Sequence, residues 1–137
     1  QQFDKPIITD VDMTTADTCE ATTSNNRLGF NDEEQAEMVA TLLMNIGINK
    51  NFGRIFVVMG HDSISVNNPH LAGYSCGACS GRSGGPNARL FARMANRPEI
   101  RERLAKNNII ITDNTWFVGA EHLTSNEQIT WFDEQYI

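Results

Sequence analysis

A chain of 137 residues with 40% hydrophobic residues is long enough for one buried core and short for two, so a single unit, or part of one, is expected. Asp and Glu number 17 against 11 Lys and Arg, giving a net charge of −6 and an isoelectric point near 4.9; this argues against nucleic acid as a partner, because neutralising a phosphate backbone takes clustered cations. No apolar run approaches the roughly 20 residues of a membrane span, and the opening Gln1-Gln2-Phe3-Asp4-Lys5-Pro6 lacks a signal pattern. The chain starts on Gln rather than Met, so a piece of a longer polypeptide is expected.

Residues 1–27 are rich in Thr, Asp and Asn, with Phe3, Ile7, Ile8 and Val11 as the apolar punctuation, and read as a polar loop or linker holding at most one short strand. At Asn31-Asp32-Glu33-Glu34 the pattern changes. Asn31 is set to cap a helix with Glu34 three residues on, and the acids stand at the positive end of the helix dipole. Ala36, Val39, Leu42, Leu43 and Ile46 follow at helical spacing as the inward face, and Gly47 supplies the stop. Arg54-Ile55-Phe56-Val57-Val58-Met59 then reads as a buried strand ending at Gly60, a helix-then-strand unit of the kind that feeds a parallel sheet.

From His61 to Gly85 there is no periodicity, and a run of that length inside a domain is usually functional. A second helix is expected to begin at Pro86 and to bury Leu90, Phe91 and Met94. Pro98 interrupts it, and a short third helix carries Ile100 and Leu104 inward and ends near Asn107-Asn108. Ile109-Ile110-Ile111 is expected as a short strand, residues 115–120 as another, and residues 129–132 as a last one.

The chemistry gathers in that long loop. His61 stands after the first strand, Cys76 and Cys79 form a C-x-x-C within Gly- and Ser-rich sequence, and Glu121-His122 closes the later strand; in a parallel arrangement both histidines reach one rim of the sheet. A histidine after a buried strand is more often hydrogen-bonded structure than a ligand, but two thiolates one turn apart can share an ion with it. Two buried thiols in a small-residue turn are the competing reading. Three cysteines, two of them so spaced, fit a reducing compartment better than a disulfide framework, and Cys19 has no partner in sequence. Gly81-Arg82-Ser83-Gly84-Gly85-Pro86-Asn87-Ala88-Arg89 precedes a helix as an anion nest would, with Gly84, Gly85 and Arg89 as the anion-binding candidates; the alternative is a turn into the helix and nothing more. No Gly-Lys-Ser/Thr follows, so it is not a Walker A loop. Asn67, Asn68 and His70 read as loop structure, and Trp116, Phe117 and Val118 as sheet core.

Taken together, these motifs resemble the DabA family, the large subunit of a bacterial inorganic-carbon uptake system whose core is similar to β-carbonic anhydrase. The resemblance runs from Leu28-Gly29-Phe30 to about Asp133 and rests on Asn45-Ile46-Gly47, Gly60-His61-x-Ser63, Asn67-Asn68, Cys76-Gly77-Ala78-Cys79, the segment from Gly84 to Arg89, and Asp113-Asn114-Thr115-Trp116-Phe117 through Glu121-His122. It implies an α/β fold in which residues 28–137 are part of a zinc-site domain, a fragment of a β-carbonic-anhydrase-like domain with a mostly parallel sheet flanked by helices. It also implies zinc as cofactor, with His61 and Cys76 as two of its ligands. In the family the other ligands come from an upstream Cys-x-Asp-x-Arg motif whose aspartate and arginine form a gate. None occurs here, since Cys19 is followed by Glu20-Ala21-Thr22, so this chain carries half a zinc site and needs the rest of the parent chain. Where the family usually has Gly and Asp, Asp62 and Ser75 stand. The resemblance further implies conversion between carbon dioxide and bicarbonate, a membrane-embedded partner subunit, and a peripheral position on the cytoplasmic side of the inner membrane. The alternative class is a structural zinc closed by His61, Cys76, Cys79 and His122, or a C-x-x-C redox module.

Overall fold

The computed structural model describes residues 30–63 and 83–132, which contain α1 (Asp32–Asn45), β1 (Ile55–Asp62), α2 (Gly85–Asn96), α3 (Pro98–Ala105), β2 (Trp116–Leu123) and β3 (Gln128–Phe132). The expected linker, residues 1–27, lies outside them. Helix α1 starts as its sequence dictates: the Glu34 N–H donates to Asn31 Oδ1 at 2.8 Å, and the Asn31 N–H donates back to Glu34 Oε2 at 3.0 Å, a complete capping box. It ends at Gly47, whose φ of +74° is the left-handed backbone that glycine adopts without a Cβ clash, and the Ile48 N–H closes on the Leu43 carbonyl at 2.9 Å.

The inward face of α1 departs from expectation. Gln35, Ala36, Val39, Ala40 and Leu43 are buried, whereas Leu42 is 37% and Ile46 49% exposed. Leu42 lies one residue, about 100°, around the helix from Leu43, and Ile46 is already the C-cap. A glutamine takes the buried place because both ends of its amide are used. Its Nε2 donates to the Phe30 carbonyl at 2.7 Å, and its Oε1 accepts from Arg97 Nη1 at 2.7 Å. Arg97 also pairs with Asp32 at 2.8 Å, so the start of α1 is tied to the extended residue at which Pro98 separates α2 from α3.

The sheet has the order β1-β2-β3. β1 and β2 are parallel, in register from Ile55↔Trp116 to Asp62↔Leu123, and β3 returns antiparallel from Leu123↔Gln128 to Gly119↔Phe132. Parallel neighbours need a long crossover, and α2 with α3 supplies it. The α/β class is borne out, with the parallel pair the longer ladder. Both strands run past their expected ends: β1 reaches Asp62 and β2 reaches Leu123, so His61, Glu121 and His122 lie within strands rather than after them. Ile109-Ile110-Ile111 forms no strand. Ile109 and Ile111 are buried and Ile110 points out, but the Ile110 N–H finds the carbonyl of Asn49 in an irregular segment, which offers no ladder.

Helix α2 lies on β1 and β2, and α1 and α3 pack on α2 and on each other. One core joins Val39, Leu43, Met94, Ile100, Leu104 and Phe117. Phe117 sits at its centre, with ring centroids of Phe56, Phe52 and Phe91 at 4.8, 5.9 and 6.2 Å. Where the described part of β3 ends, Asn96 takes the place of a strand, its amide donating to the Phe117 carbonyl at 2.7 Å and accepting the Phe117 N–H at 2.8 Å. The opposite face of the sheet is apolar yet open among the described residues, with Ile55 67% and Trp131 50% exposed beside Met59 and Trp116.

The approach of α2 is set by Gly119, where a Cβ would fall 2.7 Å from the Arg89 Cα. Gly119→Ala is expected to cost about 1–3 kcal/mol of unfolding free energy. Gly53→Ala, with 3.7 Å to the nearest atom, stays within about 0.5 kcal/mol; urea titration of the two variants followed by circular dichroism compares them, and equal losses would contradict this packing. Asn31→Ala, which opens the capping box, is expected to lower the same quantity by about 1 kcal/mol.

Candidate metal centre at the carboxyl end of the parallel pair

Parallel pairing brings the carboxyl ends of β1 and β2 to one rim, the place where open α/β sheets build sites. His61 and His122 are register partners there, and like all such neighbours they share a face, the one turned away from α2. The His61 Nε2 lies 3.1 Å from the Thr124 hydroxyl, which also stands 3.3 Å from the Asp62 carbonyl. A hydroxyl that donates to that carbonyl accepts from the imidazole, holding the ring by one nitrogen and leaving the other to accept. His122 has Nε2 3.1 Å from Glu127 Oε2. His61 is exposed, and an exposed imidazole oriented through one nitrogen is a suitable donor for a borderline-soft ion such as zinc.

Cys76, Cys79, Cys19, Asn67, Asn68, His70, Ser75 and Arg82 fall outside the described residues. Among the described residues no group of three or more His, Cys, Asp and Glu comes together that could hold a metal ion. Among the described residues His122, Glu121 and Asp62 do not complete a metal site around His61.

The described ends of the long loop meet at His61. The chain leaves β1 at Asp62-Ser63, and on its return the Gly84 N–H donates to the His61 carbonyl at 2.9 Å. The two backbones touch, since a Cβ on Gly84 would lie 2.7 Å from the His61 nitrogen. Helix α2 brings no cap of its own: Gly84 has no side chain to offer and the first turn carries no acid. A carboxylate from β2 takes that role. Glu121 Oε2 accepts the Gly85 N–H at 2.9 Å and the hydroxyl hydrogen of Ser83, whose Oγ is itself 3.2 Å from the Gly85 nitrogen.

Within the described part of the expected anion nest, the backbone donors of the two glycines are used inside the chain. The N–H groups of Gly84 and Gly85 go to the His61 carbonyl and the Glu121 carboxylate, and the Arg89 guanidinium stands 5.8 Å from the centre of the Phe132 ring. Glu121 as a cap, with Thr124 and Ser83 beside the site, is what sequence reasoning missed. The available signal was negative: a helix beginning Gly-Pro-Asn-Ala has to find its anion somewhere else.

No helix among the described residues is long and apolar enough to cross a membrane. The family described as "Probable inorganic carbon transporter subunit DabA" matches residues 4–137. Three proteins carrying that same description are similar to the chain. The one from Methylococcus capsulatus is 61% identical over 111 residues, 81% of this chain and 10% of the relative. That from Nitrosococcus oceani is 54% identical over 129 residues, 93% and 12%. That from Dechloromonas aromatica is 46% identical over 133 residues, 97% and 13%. The chain therefore spans little more than a tenth of the length of these curated relatives. No solved structure matches it. With a match across nearly its whole length and identities of this size, the chain belongs to the DabA family.

Proposed function

We propose that this chain is part of a zinc-dependent, carbonic-anhydrase-like subunit of an inorganic-carbon uptake complex and contributes two ligands, His61 and Cys76, to its zinc site. The observation that carries this reading is the meeting of the loop ends at His61. The Gly84 N–H on the His61 carbonyl makes the segment that bears Cys76 start and finish at the His61 main chain. Cys76 is seven residues from Ser83, a tether of at most roughly 25 Å. Family membership supports the inorganic-carbon part of the proposal.

In this reading Thr124 orients the His61 ring and the remaining ligands come from the rest of the parent chain. β1 is the edge of the described sheet, beside an apolar groove of about 430 Å³ lined by Met38, Leu42, Val58, Leu90 and Phe91, and this open side suits the joining of a further segment. The chemistry that zinc supplies when bound is activation of water for addition to carbon dioxide, giving bicarbonate. A membrane-embedded partner subunit then takes up that product, with this subunit peripheral on the cytoplasmic side of the inner membrane.

Metal analysis of the full-length subunit tests the ligand assignment. About one zinc per chain is expected for the unchanged subunit and for Cys79→Ser, with His61→Ala and Cys76→Ser losing it. Equal loss in Cys79→Ser and His122→Ala would mean a closed structural site, and a reversible Cys76–Cys79 disulfide without metal would mean a redox module; either result overturns the proposal. The 137 residues by themselves, lacking half the ligands, are expected to retain no stoichiometric zinc after dialysis, and tightly held zinc in them would refute the half-site.

A further inference from the structure

We propose that Glu121 is a positioning residue for His61, fastening the first turn of α2 to β2 so that the end of β1 presents the imidazole in one fixed place. The inference rests on the zinc reading of His61 and concerns groups that reach the ion only through that residue. The contacts form a closed ring. The His61 carbonyl accepts from the Gly84 N–H; the next N–H, of Gly85, donates to the Glu121 carboxylate; Glu121 is the register partner of Gly60; and Gly60 precedes His61 in β1. Every link but one is main chain. The side-chain link is Glu121, reinforced by the Ser83 hydroxyl that donates to the same oxygen.

Two features make that link matter. The other acceptor near the Gly85 N–H is the neutral Ser83 hydroxyl, at 3.2 Å, and the first turn of α2 carries no acid, so removing the carboxylate leaves the positive end of the helix dipole without its anion. Gly60 and Gly84 also bring α2 and β1 together at backbone distance, with no side chain between them to absorb a shift. Movement of the first turn is therefore passed straight to the His61 main chain. The Thr124 contact holds the tip of the ring, and Glu121 acts on its root through Gly85 and Gly84.

The test uses the full-length subunit and two readouts besides activity: zinc affinity by chelator competition, and the absorption bands of the cobalt(II)-substituted protein, which report ligand geometry at full loading. Glu121→Ala is expected to weaken zinc binding by about tenfold or more, the usual consequence of losing an outer-shell partner, and to shift the cobalt bands. Glu121→Gln keeps an acceptor for the Gly85 N–H and is expected to restore both readouts to within about threefold of the unchanged subunit. An affinity and cobalt spectrum unaltered in Glu121→Ala would overturn the proposal. Should that variant not fold, Ser83→Ala decides: shifted cobalt bands in it support the ring of contacts, and an unaltered spectrum overturns it. A subunit in which His61→Ala leaves zinc undisturbed would sink the zinc reading itself, a result separable from failure at Glu121.

Discussion

Glycine at positions 60, 84 and 119 lets α2 lie on the β1–β2 pair with main chain against main chain, and the candidate site depends on that approach. With ordinary side chains at these places the helix would stand off from the sheet, and its first N–H groups would no longer reach the carbonyl of His61 or the carboxylate of Glu121. The same three positions explain why the helix needs no cap in its own sequence. It is brought close enough to take one from a strand.

What the sequence made legible is local. Asn31 with Glu34, Gly47 after the last turn, and Pro98 between two helices act through neighbours within a few residues, and each does in the fold what its type and spacing predict. The limits of the strands were harder to read. Gly60-His61-Asp62 and Glu121-His122-Leu123 stand at or past the strand ends read from the sequence, yet they are strand because each is the other's partner, a fact that exists only once the strands meet. Ile109-Ile110-Ile111 is the converse, strand-like in composition but next to an irregular segment. Gln35 is absent from the inward face read from the sequence, and it is buried because Phe30 and Arg97 use both ends of its amide.

The candidate site divides along the same line. That His61 and His122 share a rim follows from two strands read as parallel, and the register bears it out. The loop-to-helix glycines were read as a place where N–H groups meet an anion, and one of them, the Gly85 N–H, meets a carboxylate. Which charge arrives there was not legible, because Glu121 lies 36 residues from Gly85 and belongs to another element. A donor pattern in sequence specifies what a helix end requires, and only the folded chain specifies what meets the requirement.

The register of the parallel pair has a kinetic side. Ile55 meets Trp116 across 61 positions of chain, whereas β2 and β3 are joined by a tight turn and α2 and α3 are nearly contiguous. Closing a long loop costs entropy before any contact compensates for it, so short-range units form early and the long-range ladder forms late. The rim carrying the two histidines is accordingly expected among the last parts of the chain to acquire its shape.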